Sequence, residues 1–156
     1  MTSLIHLLRR YQPKTFRISY GTDYNLFAVQ HVLNDPQHPL HIQRKREQER
    51  RKKEGLWWHA TTGTELSKSS VVRSWCRRRL NNAFTDVLKK RGFDQYGRLV
   101  DAEALQVANK RLGEMVRGHQ DFNLKGSFRF HALVPCIPAK YAELQEEFGI
   151  IMDAML

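Results

Sequence analysis

The sequence predicts an α+β fold: one small helix-rich domain with a few short strands, carrying a basic N-terminal arm and an extended basic helix. Apolar residues recur every three or four positions over several long stretches, as in helices that bury one face. Over two shorter stretches they alternate with polar residues, as in half-buried strands. The hydrophobic content is 41% over 156 residues, with eight Phe, five Tyr and three Trp, which suits one modest core. On this reading residues 1–55 form the basic arm and charged helix, and residues 56–156 the compact α+β domain.

Taken in order, residues 15–20 alternate, with Phe16, Ile18 and Tyr20 on one side and Thr15, Arg17 and Ser19 on the other, and a turn follows at Gly21. Asp23 is placed to cap a short helix to about residue 33, on which Leu26, Val29 and Leu33 share a face before Pro36 and Pro39 break it. Residues 41–54, HIQRKREQERRKKE, are helix-forming throughout but hold one apolar side chain, Ile42. Such a helix has no face to bury and lies in solvent or against something charged. In GLWWHATTG, Trp57 and Trp58 stand beside the basic run, suited either to packing or to stacking on a base.

A long helix is predicted over residues 67–91, where Val72, Cys76, Leu80, Ala83, Phe84, Val87 and Leu88 keep helical spacing. Lys89, Lys90 and Arg91 complement its C-terminal dipole and Gly92 supplies a left-handed cap. FDQYGRLVD reads as a tight turn or hairpin around Tyr96 and Gly97, and Asp101 as the cap of a helix over residues 102–117, with Leu105, Ala108, Leu112, Met115 and Val116 inward. Residues 125–134 are the clearest strand, with Phe128, Phe130, Ala132 and Val134 on one side and Arg129 and His131 on the other. A final helix from about Pro138 aligns Tyr141, Leu144, Phe148, Ile151 and Met155, with Glu143, Glu146 and Glu147 opposed.

Charge is the strongest functional signal. The chain holds 26 Lys and Arg against 16 Asp and Glu, a formal charge of +10. Residues 1–91 hold 19 basic and 7 acidic side chains, a net of +12, while residues 92–156 have a net of −2. A compact domain so charged repels itself and is relieved by a polyanion, whose condensed counterions are released on binding. The candidate nucleic-acid contacts are Arg44, Lys45, Arg46, Arg50, Arg51, Lys52 and Lys53, then Trp57, Arg73, Arg77, Arg78 and Arg79, and finally Lys89, Lys90 and Arg91. Arginine clusters suit bidentate phosphate contact, although one or two of those on the long helix are expected to bridge to the acidic C-terminal helix instead.

Other chemistries find little in the sequence. Cys76 and Cys136 form no C-x-x-C pair, and His38 and His41 are separated by Pro39 without a cysteine nearby, so neither a metal nor a cofactor is expected. There is no G-x-S-x-G, no phosphate-binding glycine loop and no H-E-x-x-H, so no catalytic residue and no small-molecule substrate are assigned. No apolar run of about 18 residues offers a membrane span. The first acidic residue is Asp23, after Arg9, Arg10, Lys14 and Arg17 among Ser, Thr and Leu, a composition that fits a mitochondrial import segment and equally a basic arm lying on a partner.

In overall composition, though in no motif, the chain resembles the small accessory proteins of organellar ribosomes. The resemblance implies a structural, non-enzymatic subunit that binds rRNA through residues 1–91, meets neighbouring proteins through the acidic C-terminal helix and works in the mitochondrial matrix. The alternatives are a DNA-binding regulator, or an assembly factor whose charge serves an acidic protein partner.

Overall fold

The computed structural model describes residues 6, 8, 10–116 and 122–156. Much of the import-segment reading, and the expected end of a helix at residue 117, lie outside the described residues. The fold is a small α+β domain whose order is β1 (Phe16–Gly21), α1 (Gln30–Leu33), α2 (His41–Arg50), β2 (Leu56–Thr61), α3 (Ser70–Lys90), α4 (Ala102–Ala108), α5 (Lys110–Val116), β3 (Gly126–Ala132) and α6 (Tyr141–Met155). Single 3₁₀ turns lie at Phe27–Val29 and Val134–Cys136.

β3 is the middle strand of the three-stranded sheet, antiparallel to β1 and parallel to β2. Its two-residue alternation sends Phe128, Phe130 and Ala132 to one face, opposite Tyr20, Ile18 and Phe16 of β1, and Trp58 and Ala60 of β2 stand beside Phe128 and Phe130. Onto this first face pack α3 and α6. Phe148 stacks on Phe16 at 4.3 Å and meets Phe130 edge-on at 4.9 Å, while Phe84 lies 4.7 Å from both Phe130 and Trp58. These centroid distances are those at which aromatic pairs gain beyond simple area burial.

The α3–α6 seam is closed by polar ties. Tyr141 Oη donates to Asp86 Oδ2 at 2.6 Å, and Arg91 reaches both Asp153 Oδ1 at 2.7 Å and the Gly149 carbonyl at 3.1 Å. Burial, followed by the hydrogen bond to Asp86, pushes the Tyr141 hydroxyl up to about 12. The acidic side of α6 is partly used within the fold. Glu147 accepts from the Thr15 hydroxyl and from the Lys14 amide, fastening the start of β1, and Glu143 accepts from the Lys140 amide at the helix's own N-terminus. Cys76 and Cys136, remote in sequence, are buried free thiols in contact, and burial drives Cys136 up to about 12.

Several sequence expectations are revised. The division at residue 55 does not separate two bodies, because β1 belongs to the arm by sequence yet pairs with β3 along its length and buries Phe16 completely. LWWHAT is a strand, β2, which the adjacent tryptophans had concealed by placing large aromatics on both faces at once. The helix expected after Asp23 shrinks to a 3₁₀ turn and the four-residue α1, and Asp23 provides no side-chain cap. α2 ends at Arg50, where Arg51 turns extended. The helix expected over residues 102–117 breaks at Asn109 (φ −146°, ψ 97°), whose side chain accepts from the Leu112 amide and starts α5. Asn competes with the helical backbone in this way, which leaves Met115 outward at 66% exposure instead of inward.

Two expected signals are seen directly. Asp101 Oδ1 accepts from the Glu103 and Ala104 amides and caps α4. Gly92 takes φ 84° after α3, where any Cβ would run into the Asp101 carbonyl oxygen.

Phe148→Ala is expected to destabilise the fold by about 3–5 kcal/mol, and Met115→Ala by no more than about 0.5 kcal/mol. Chemical denaturation of the two variants checks this ordering, and similar losses would contradict the assigned core.

Candidate nucleic-acid interface

α2 buries none of its ten residues. It is fixed at its ends: the His41 ring reaches the Val32 carbonyl at 3.0 Å, and just beyond the last turn the Arg51 guanidinium lies 4.2 Å over the Trp57 ring. Between these anchors the backbone is supported by local pairs, Arg44 to Glu47 at 2.8 Å and Gln43 to Glu47 at 3.0 Å, and these bonds lower the Glu47 pKa. His41, Arg44 and Gln48 form the half-covered side, and at 100° per residue Ile42, Arg46 and Arg50 make the outward ridge. Lys52 and Lys53 continue the exposed charge into the loop before β2. Lys45, Arg46, Arg50, Lys52 and Lys53 make no ion pair or side-chain hydrogen bond among the described residues.

α3 divides its cations between two uses. The Arg73 guanidinium donates to the Ser67 and Lys68 carbonyls at 2.7 and 2.8 Å, tying down the loop before the helix. Arg79 donates to the Cys136 and Ala139 carbonyls at 3.2 and 2.7 Å and lies 4.4 Å over Trp75. Arg91 is held by Asp153, with 15% of its side chain exposed. Arg73 and Arg79 are corrected as nucleic-acid contacts, since they spend donors on internal carbonyls, while Arg91 makes the bridge to the acidic C-terminal helix expected of one or two of these cations. Arg77, Arg78 and Lys89 remain exposed, and Lys90 makes only a 3.4 Å bond to Gln145. Arg78 and Lys89 share the outward ridge of α3 with Val71 and Trp75, by the same 100° rule.

Trp57 is corrected as well. It points to the second face of the sheet, is 5% exposed, and is enclosed by Tyr24 at 5.0 Å and Arg51 at 4.2 Å, so it offers no ring face to a base. Trp58 points the other way, into the core, with its indole N–H donating to the Gln95 carbonyl at 2.8 Å.

The second face of the sheet holds polar residues that the sequence reading noted only as outward. The cross-strand rows are Arg17, His131 and Thr61, then Ser19, Arg129 and His59, then Gly21, Ser127 and Trp57. Phe27 covers part of this face, with its ring 6.0 Å from the Arg129 guanidinium and 6.2 Å from the His59 ring. His131 bridges Thr61 Oγ1 at 2.9 Å and Glu65 Oε1 at 2.6 Å. Burial, and then the Arg129 charge, lower the pKa of His59. The alternation of Arg129 and His131 was the one signal available for this face, but their neighbours on β1 and β2 follow only from the register.

The two basic stretches lie on opposite sides of the sheet. α3 packs on the first face through Phe84, while the chain from Tyr24 to Arg51 is stitched to the second through Trp57, His59 and Arg129. The exposed cations of α2 and α3 therefore form two separate ridges. His38 and His41 gather no metal-binding group, nor does any other set among the described residues. No described helix is long and apolar enough to cross a membrane. No protein-family model, curated protein or solved structure matches the chain.

Above the ordinary value of 6.5, His59 is neutral whether the chain is folded or unfolded. Below it the unfolded chain takes up the proton first, so stability falls as the pH drops from 6.5 towards the depressed folded value. Acidification from about pH 7 to about pH 5 is expected to lower the unfolding midpoint less in His59→Gln than in the unaltered chain. Equal losses in thermal melts would contradict the buried neutral imidazole.

Proposed function

We propose that the chain is a structural RNA-binding subunit of a ribonucleoprotein, and its composition directs the proposal to the mitochondrial ribosome. The observation that carries it is α2, a helix that buries no side chain and turns a ridge of unpaired cations outward. A surface helix is ordinarily retained by its apolar face, which this one lacks. Its charge therefore serves something outside the fold, and a phosphate backbone is the partner that releases counterions on contact. Arg77, Arg78 and Lys89 on the far side of the sheet suit a subunit embedded between two stretches of nucleic acid.

Reading of a DNA groove has less support. Arg73 and Arg79 are turned to internal carbonyls, and α3 is followed by the Phe93–Leu99 hairpin bridge and not by a second helix after a tight turn.

Affinity for structured RNA is expected to fall steeply with salt, and replacing Arg46, Arg50, Lys52 and Lys53 by Gln should flatten the log–log slope by about 0.7–0.9 for each phosphate no longer neutralised. Arg79→Gln should leave that slope nearly unchanged while costing about 1–3 kcal/mol of stability. Fluorescence anisotropy over a salt series, paired with denaturation, measures both. Salt-independent binding, no binding, or strong preference for one duplex DNA sequence over random RNA would overturn the proposal.

A further inference from the structure

The geometry points to a phosphate-binding site on the second face of the sheet, formed by Arg17, Arg129 and His59 and suited to a phosphodiester of an RNA strand. The assignment rests on the RNA-binding reading for the source of the phosphate, but its residues are apart from the α2 and α3 ridges.

Arg129 is half-buried in the central strand, yet no described carboxylate pairs with it. Its NH2 group donates to Ser19 Oγ at 3.3 Å, its guanidinium faces Phe27, and its Nε is buried without a hydrogen-bond partner among the described residues. His59 Nε2, on the neighbouring strand at the same register, is likewise buried and has no partner among the described residues. Beside this partly covered charge stand one neutral hydroxyl and an aromatic face, and no described carboxylate supplies a counter-charge. Two adjacent unsatisfied nitrogens in one cross-strand row are better explained by an incoming acceptor than by the fold alone.

Arg17 completes the set. It sits exposed on β1, diagonal to Arg129, at the cross-strand offset of about 7–8 Å that long side chains bridge. A phosphate has the charge and the several acceptor oxygens to take two guanidinium groups and an imidazole N–H together. His131, between the strands in the same row as Arg17, has both ring nitrogens engaged and is not counted as a ligand. Its partner Glu65 is held by His131, in the row that ends at Thr61 rather than in the Arg129 row. Neutral His59 can donate its Nε2 proton, and a bound anion would raise its depressed pKa.

The test uses the full chain and NMR of the Arg Nε–H and His ring signals, titrated first with inorganic phosphate and then with a single-stranded RNA oligonucleotide. Phosphate and RNA are both expected to shift the Arg129 Nε–H and His59 signals and to raise the His59 pKa. Arg17→Gln, at an exposed position, should weaken phosphate binding at least about fivefold, while Arg129→Lys keeps the charge but loses the Nε–H response. If RNA binds and neither titrant moves these signals, the site is refuted while the RNA-binding reading stands. A response to phosphate alone, with RNA bound elsewhere, refutes the RNA backbone as its ligand. Failure to bind RNA at all refutes the broader reading, and with it the source assigned to the phosphate.

Discussion

The structure depends on β3 being central. Phe128 and Phe130 of this strand form the floor on which Phe16, Phe84 and Phe148 meet, so β1, α3 and α6 are held together by one aromatic cluster drawn from four distant parts of the chain. The same two-residue alternation fixes what lies on the reverse. If Phe128 and Phe130 face the helices, Ser127, Arg129 and His131 must face away, and a slip of one residue would exchange the two sets. Core and polar face are therefore a single constraint read from opposite sides.

That constraint also sorts the charge. The net charge of +10 is carried by a domain with few ion pairs among its described residues: three between an arginine and a carboxylate, and one from His131. Arg73 and Arg79 act as internal braces on carbonyls that precede α3 and α6, and Arg91 on the Gly149 carbonyl within α6. Arg46, Arg50, Lys52, Lys53, Arg77, Arg78 and Lys89 have no such duty and repel one another until something anionic approaches. Arg79, turned to carbonyls, and Arg78, left in solvent, put a structural guanidinium and an unpaired one within a single helical turn.

Elements whose pattern reflects burial on one face were legible in the sequence: β1, β3, α3 and α6 fall within a few residues of their predicted bounds, and Asp101 and Gly92 cap where expected. Where a local hydrogen bond competed with periodicity, the pattern misled, as at Asn109. β2 was hidden because Trp57 and Trp58 are buried by different layers, one under Tyr24 and Arg51 and one against Phe84. Within the candidate site the exposed cations of α2 could be named from composition alone. The fates of Arg73, Arg79 and Arg91 could not, since carbonyl acceptors in distant loops leave no trace in the sequence, and the pairing of Arg129 with His59 required the sheet register.

The cationic ridges, on the reading proposed above, exist to hold RNA within a particle. Sedimentation of the tagged chain from a mitochondrial extract, with and without ribonuclease, tests this most directly. The chain is expected to travel with ribosomal particles and to return to the top of the gradient once the RNA is digested. Migration with a protein complex that ribonuclease leaves intact, or sedimentation as a free monomer before digestion, would contradict it.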